Sequence, residues 1–364
     1  MSLCRIIKQQ SLRNVLLMRK IEEDLNIHKL ISTIKVLPVF TQNNIHTSSN
    51  NGPWSVLFFG TDEFALESLK KLHAKYRSKK LLHRLEVVTA YKGKENAVQR
   101  YANLHSIPIH HWPLKINTSE FHIGLVVSFG HLIPSDIIHS FPLGMLNVHA
   151  SLLPRWRGAA PIIYSLMHGD TQTGITIMNI MPKKFDVGAI IAQQKVDIHP
   201  DETMPELYKK LSCMGADLLV STVEQLPKVL TFGKPQGDTG ITYAPKVSSK
   251  ISLVKWSEMT AKDVYNLQRA ITGLYPLTTK FQDITIKILN IKVLEKQTQA
   301  YSSSHSSPGS VIYDKKNDIL AVCCRDNTWV SIEKLVVPGR QPMSARDFNN
   351  GFISKHKNFE TYFQ

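Results

Sequence analysis

Short, uninterrupted apolar runs, each followed within a few residues by a segment of helical spacing, recur from residue 55 to about residue 230, and this rhythm dominates what the chain can become. Ser55-Val-Leu-Phe-Phe59 ends in Gly60-Thr-Asp62, after which Phe64, Leu66, Leu69 and Leu72 fall at helical intervals, which predicts a strand, a tight turn and a helix. The series continues with strands at 85–90, 124–128, 144–148, 174–180 and 189–196, and helices at 97–104, 135–139, 159–168 and 204–230. Strands that alternate with helices imply a Rossmann-like α/β domain with a parallel sheet covered on both faces.

The rhythm then stops. Residues 231–250 are rich in Gly, Pro, Thr and Ser and lack periodic hydrophobics, as linkers do. Beyond them a helix at 261–271 precedes five short β-rich runs, at 277–281, 284–294, 310–313, 319–323 and 329–335. That density of short strands predicts a small barrel of the OB type, a frequent nucleic-acid scaffold. The expected organisation is an α/β domain over 52–230, a linker over 231–250 and an OB-like domain over 251–364. At 364 residues and 43% hydrophobic content, two ordinary cores are expected. The Ser-rich segment 301–308 reads as a loop.

The first 51 residues are different. Arg5, Lys8, Arg13, Arg19 and Lys20 are interleaved with Leu12, Val15, Leu16, Leu17 and Met18, a basic amphipathic pattern that reads as a mitochondrial transit peptide and places the protein in the matrix. Glu22, Glu23 and Asp24 depart from that pattern, and a basic arm retained on the mature chain is the alternative. Apolar runs stay far short of the roughly 20 residues of a membrane span, so no membrane insertion is expected. The formal charge of +15 favours a polyanionic partner, although a basic presequence contributes to it. Cys4, Cys213, Cys323 and Cys324 are too few for a disulfide framework or zinc site, and His105, His110 and His111 lie in a loop-like stretch without accompanying ligands, so no metal is expected. With no exposed apolar stripe evident, a monomer is expected.

Chemistry concentrates in Leu146-Asn-Val-His-Ala-Ser-Leu-Leu-Pro-Arg-Trp-Arg-Gly-Ala-Ala-Pro161, at the carboxyl end of a predicted strand, where open α/β sheets bind ligands. Asn147 and His149 are two apart, so an extended backbone aims both at one face. Asn147 supplies a neutral donor, and His149 one that also exchanges a proton. Asp186, in Met181-Pro-Lys-Lys-Phe-Asp-Val-Gly188, is positioned between two predicted strands, where a carboxylate can orient His149 and favour its protonated form. Each residue also has a structural reading, Asp186 as a turn residue satisfying its own backbone, and sequence distance does not decide. Gly60-Thr-Asp-Glu-Phe64 lacks the further glycines of a dinucleotide fingerprint, which argues against nicotinamide or flavin.

Asn147-Val-His149, Ser151-Leu-Leu-Pro154 with Gly158, and Asp186-Val-Gly188 resemble the motifs of the folate-dependent formyltransferases. The likeness runs from about residue 55 to the end. Residues 155–162, Thr242-Tyr-Ala-Pro-Lys246, Trp256, Ala270 and Gly339-Arg-Gln-Pro-Met-Ser-Ala-Arg-Asp347 resemble the tRNA-directed branch. The resemblance implies 10-formyltetrahydrofolate as formyl donor and, as acceptor, the α-amino group of methionyl esterified to initiator tRNA. It assigns catalysis to Asn147, His149 and Asp186 and folate contacts to Ser151, Leu152, Leu153 and Pro154, with backbone at 127–130 lining the pterin pocket. Bacterial members carry a longer basic insertion after the second strand; here only residues 91–96 occupy that place. Lys92 and Lys94 there, and Lys280, Lys287, Lys292, Lys334, Arg340 and Arg346 in the second domain, are the candidate tRNA contacts. Relatives acting on glycinamide ribonucleotide or a nucleotide sugar share the site, and an RNA-binding protein on an inactive scaffold is a further alternative.

Overall fold

The computed structural model describes residues 52–90, 93–294, 307–354 and 361–364. The transit-peptide reading of residues 1–51, Lys92, and residues 301–306 of the Ser-rich loop lie outside the described residues.

The first layer is built as its hydrophobic rhythm requires. Strand β1 (Trp54–Gly60) leads through an Asp62 N-cap, whose carboxylate accepts from the Ala65 N–H at 3.0 Å, into helix α1 (Glu63–Arg77). There follow β2 (Leu82–Thr89), α2 (Ala97–Leu104), β3 (Ile109–His111), β4 (Ile123–Val127), α3 (Ser135–Ser140), β5 (Met145–His149), α4 (Pro161–Met167), β6 (Gln172–Asn179), β7 (Ile190–Asp197) and the 21-residue helix α5 (Met204–Glu224). The sheet order is β3-β2-β1-β4-β5-β6-β7. Its first five strands are parallel, as expected of the α/β core.

Two features depart from the sequence reading. His110 and His111 belong to a short edge strand, β3, which the sparse apolar content of the segment conceals; His110 Nε2 lies 2.6 Å from Glu86. Strands β6 and β7 run antiparallel to their neighbours. The loop after β5 is tied back onto Thr176 and Asp170 instead of extending, and the seven helical residues of α4 advance only about 10 Å, short of the roughly 26 Å of an eight-residue strand. The chain therefore re-enters the sheet from the end it left.

Alternation along the strands separates two cores. Val56, Phe58, Leu125, Val127, Leu146 and Val148 face the large cluster under α1 and α5, while Leu57, Phe59, Val126, Phe129 and Met145 face a smaller one beside α3. Asn147 and His149 share the parity of Met145. They leave the strand on the face with the lighter helical cover.

The C-terminal region opens with α6 (Ala261–Ile271), whose Thr260 and Asp263 form a capping box. Strands β8 (Leu277–Phe281), β9 (Ile284–Val293), β10 (Val311–Asp314), β11 (Ile319–Cys323) and β12 (Trp329–Val336) form an antiparallel sheet of order β10-β11-β12-β9-β8, with the short β13 (Met343–Ser344) beside β12 and helix α7 (Ala345–Phe348) after it. The last four residues close it: Lys280 and Gln364 exchange backbone hydrogen bonds of 3.0 and 2.9 Å, and Val311 and Phe363 donate to Thr361 and Gly309 at 2.9 and 2.8 Å. The carboxyl terminus thereby joins β8 to β10 and makes a barrel of the expected OB-like kind.

Separate cores were expected for the two domains, but the main hydrophobic cluster runs without a break from the α/β layer into the barrel, through α4 packed on α6. At that junction the buried Arg269 guanidinium donates to Asn266 Oδ1 (2.9 Å) and to the carbonyls of Glu202 (3.1 Å) and Leu166 (3.3 Å). Leu166 lies in the last turn of α4, where a cation meets the negative end of the helix dipole. No helix among the described residues is long and apolar enough to cross a membrane.

Candidate active site

Strand β5 delivers Asn147 and His149 at its carboxyl end, flanked by Val126 of β4 and Met178 of β6. The loop between β6 and β7 supplies Asp186. His149 is buried, with Nδ1 at 3.6 Å from Asp186 Oδ1 and Nε2 at 2.8 Å from the Trp156 carbonyl oxygen. At 2.8 Å from a carbonyl oxygen Nε2 is a donor, while Nδ1 lies just beyond hydrogen-bond distance of the carboxylate. Asp186 is held in turn by the Gly158 N–H, which donates to Oδ2 at 2.8 Å. Asn147 is half-buried, and among the described residues its side-chain amide has no hydrogen-bond partner. The pattern is a braced imidazole and carboxylate beside an uncommitted amide donor.

The loop after β5 is fixed by many small constraints. Ser151 is fully buried and its hydroxyl donates to the Arg155 carbonyl at 2.6 Å, while its own carbonyl accepts from Thr176. Leu153 is buried, its N–H donating to Thr176 Oγ1 and its carbonyl accepting from Gln193 Nε2. Leu152 packs over β6: a Cβ on Gly174 would come 2.6 Å from its Cδ2. Arg155 forks onto Asp170 at 2.8 and 2.6 Å, and this carboxylate raises the guanidinium above its ordinary range; the Trp156 indole donates to the same carboxylate at 2.7 Å. Trp156 itself sits at φ 63, which turns its carbonyl toward His149.

The two motif glycines have distinct steric reasons. Gly158 has φ 122, and a Cβ there would lie 2.6 Å from the Ala244 carbonyl oxygen. At Gly188 a Cβ would overlap the Asn179 carbonyl. Both mark close backbone approach beside the Asp186 carboxylate.

Comparison with known proteins shows the family. The family model described as formyl transferase matches residues 114–223, and that described as formyl transferase, C-terminal domain, matches residues 246–353. The mitochondrial methionyl-tRNA formyltransferases of Bos taurus and Homo sapiens are each 42% identical over 308 residues, 83% of this chain and 78% of theirs. The chain belongs to the formyl transferase family. The methionyl-tRNA formyltransferase of Roseobacter denitrificans is 32% identical over 308 residues, 81% of this chain and 95% of its own. Among solved structures, a sugar 3N-formyl transferase determined in the presence of dTDP and 5-N-formyl-THF superposes with a TM-score of 0.55 at 15% identity, over 80% of this chain and all of its own. That likeness speaks for the fold.

Within this formyl transferase, the sequence-derived site residues are unevenly placed. Asn147, His149 and Asp186 come to one end of β5, and the segment 151–154 adjoins them. Gly60 is a packed turn, a Cβ there falling within 2.8 Å of Phe58 and Ala65, and Thr61 Oγ1 donates to the Ser128 carbonyl at 2.9 Å to tie the ends of β1 and β4. The candidate cations Lys94, Lys280, Lys287, Lys292, Lys334, Arg340 and Arg346 are all exposed. Lys292 is paired with Glu333 at 2.8 Å, Arg346 lies 3.7 Å from Asp318, and Arg340 lies over the Phe352 ring. Among the described residues no group of three or more His, Cys, Asp and Glu is arranged to hold a metal ion.

The sequence reading missed that the supposed linker belongs to the site. Lys234 pairs with Ile190, residues 242–244 pair with 157–160, Thr242 Oγ1 accepts from the Trp156 N–H at 2.9 Å, and the Gln236 side chain reaches the Asp186 loop. A Gly/Pro-rich segment carries no hydrophobic period, so nothing in its pattern reveals which polar side chain turns inward.

Proposed function

We propose that this formyl transferase moves the formyl group of 10-formyltetrahydrofolate to the α-amino group of methionine carried on initiator tRNA, in the mitochondrial matrix. The observation that carries the chemistry is the braced His149–Asp186 pair beside the unpartnered Asn147 amide. An α-amino group titrates near 7.7–8.0 in model compounds, so the acceptor needs little activation. The demand is to stabilise the oxyanion that develops as the amine adds to the formyl carbon. Asn147 donates to that oxygen, joined by His149 when its Nε2–H exchanges the Trp156 carbonyl for it, and each well-placed donor contributes roughly 3–4 kcal/mol. The 3.6 Å spacing between His149 and Asp186 is longer than a hydrogen bond and closes as the site fills. Asp186 orients the ring and helps pass the proton lost by the amine to the folate nitrogen that departs. The turn 151–154 meets the folate through the half-buried Leu152 and Pro154, since Ser151 and Leu153 are buried and their polar groups are committed to Arg155, Thr176 and Gln193.

The acceptor assignment is supported by the 42% likeness to enzymes named for methionyl-tRNA, which spans the barrel as well as the α/β layer. Residues 1–51 act as the presequence, 52–230 as the catalytic domain, 231–250 as the connector, and 251–364, with Lys280, Lys287, Lys292, Lys334, Arg340 and Arg346, as the tRNA-binding domain of a monomer. Lys92 and Lys94 extend that surface. The test is formylation of methionyl-tRNA by residues 52–364, with glycinamide ribonucleotide and an amino sugar nucleotide as competing acceptors. Asn147→Ala and His149→Ala are each expected to lower turnover at least about a hundredfold with the fold retained. Formylation of either small acceptor in preference to methionyl-tRNA, or near-parent turnover by His149→Ala, would refute the reading.

A further inference from the structure

We propose that Gln236 is a positioning residue for Asp186, held in register by Arg157; the inference rests on the catalytic reading of Asp186 above. The Gln236 amide is fully committed. Its Oε1 accepts from Arg157 Nε at 3.0 Å and Nη2 at 2.6 Å, and its Nε2 donates to the backbone carbonyls of Asp186 and Gly188, both at 2.9 Å. Arginine has only donors, so the fork dictates which end of the amide is oxygen and turns the two N–H groups toward the loop. No other neutral side chain of this length serves two donors and two acceptors at once.

Asp186 needs such a brace. Its φ of 56 is left-handed, a conformation that a residue with a β-carbon adopts where the surroundings hold it. Its carboxylate is held by the Gly158 N–H, and its carbonyl by Gln236. Arg157 and Gly158 are adjacent, so one dipeptide fixes both ends of Asp186, directly through the backbone and indirectly through Gln236. The connector is strapped on either side of Gln236, by Ile190 and Lys234, whose backbones exchange bonds of 2.7 and 2.9 Å, and by the pairing of 242–244 with 157–160. Pro235 and Gly237 are exposed while Gln236 is turned inward between them. A solvent-facing linker has no use for that geometry.

The experiment measures formylation kinetics of Gln236→Met, which keeps length but removes the hydrogen bonds to Arg157 and to the Asp186 and Gly188 carbonyls, in the parent and in an Asp186→Asn background. In the parent, kcat is expected to fall ten- to a hundredfold, the scale of an ångström-sized misplacement of a reacting group, with KM for the formyl donor and for the acceptor within about twofold. In the Asp186→Asn background the same change should cost less than about twofold, because the residue through which Gln236 acts has already lost its charge. Gln236→Asn, one methylene too short to span Arg157 and the two carbonyls, should reproduce the kcat loss and serves if the Met variant does not fold. An equal loss in both backgrounds would make Gln236 a general structural support and overturn the proposal. So would parent-like kcat in both Gln236 variants while Asp186→Asn is impaired. Near-parent turnover of Asp186→Asn alone would instead remove the catalytic reading of Asp186, and the inference with it.

Discussion

Replacing Gly158 by alanine tests whether backbone proximity, rather than side-chain identity alone, builds the site. The new Cβ would lie 2.6 Å from the Ala244 oxygen and 3.0 Å from its carbonyl carbon, whereas ordinary contact begins at 3.4 Å, so the connector must retreat by about 0.8 Å. That retreat stretches the bonds that pair the two segments, Arg157 N–H to Thr242 at 2.9 Å, Ala244 N–H to Arg157 at 2.7 Å and Ala160 N–H to Ala244 at 3.0 Å. The backbone at φ 122 adds about 1–3 kcal/mol of strain and the overpacking about 1–3 more, so a loss of roughly 2–6 kcal/mol is expected. Against a typical total of about 5–15 kcal/mol the protein still folds, but the Gly158 N–H no longer meets Asp186 at 2.8 Å, and kcat should fall on the order of a hundredfold. Urea unfolding and formylation kinetics measure the two effects. Gly144→Ala is the control, because it has φ 70 but nothing within 4 Å of the added Cβ; it should lose only about 1–2 kcal/mol and keep its kcat. A Gly158→Ala enzyme with kcat within threefold of the parent and an unchanged unfolding midpoint would refute the reasoning.

Other outcomes follow from the packing and the titrating groups. Arg269→Met should strand the buried carbonyls of Glu202 and Leu166 and lower stability by about 2–5 kcal/mol, seen as a lower urea midpoint; a change under about 0.5 kcal/mol would contradict a clamp between the domains. Burial alone pushes the Glu86 carboxyl up, but hydrogen bonds from His110 and Arg84 outweigh it and hold the group below its ordinary range. Its stabilisation is therefore complete above the unfolded value near 4.3 and is lost as pH falls through the folded one, so Glu86→Gln should lose less stability than the parent between pH 5 and 3; parallel curves would show that the pairing contributes nothing. Burial, with Cys323 adding to it, pushes the Cys324 thiol up to about 12. At pH 8 iodoacetamide should modify the half-buried Cys213 and leave Cys324 intact until the protein unfolds, read by peptide mass; early labelling of Cys324 would count against its burial.

Much of the architecture was legible because it rests on periodicity. Helices 97–104 and 261–271 and strands 277–281 and 319–323 fall where the apolar spacing puts them, since a helix stripe and a strand face leave different local signatures. The spacing of Asn147 and His149 likewise required only that the backbone be extended. The direction of β6 was not legible, because it depends on how far α4 carries the chain. Strand β3 was missed for want of apolar residues, and His110, a candidate loop residue in sequence, is a sheet residue paired with Glu86.

The sequence by itself determined the α/β and barrel elements and offered Asn147, His149 and Asp186 as candidates. Tertiary structure alone decided how His149 and Asp186 are held. Trp156 meets His149 through its backbone carbonyl, Gly158 meets Asp186 through its N–H, and the Gln236 side chain meets the Asp186 carbonyl, so two of the three contacts use backbone groups that no residue type announces. Only the folded path of residues 234–244 across the loop after β5 turns a segment without pattern into a wall of the site.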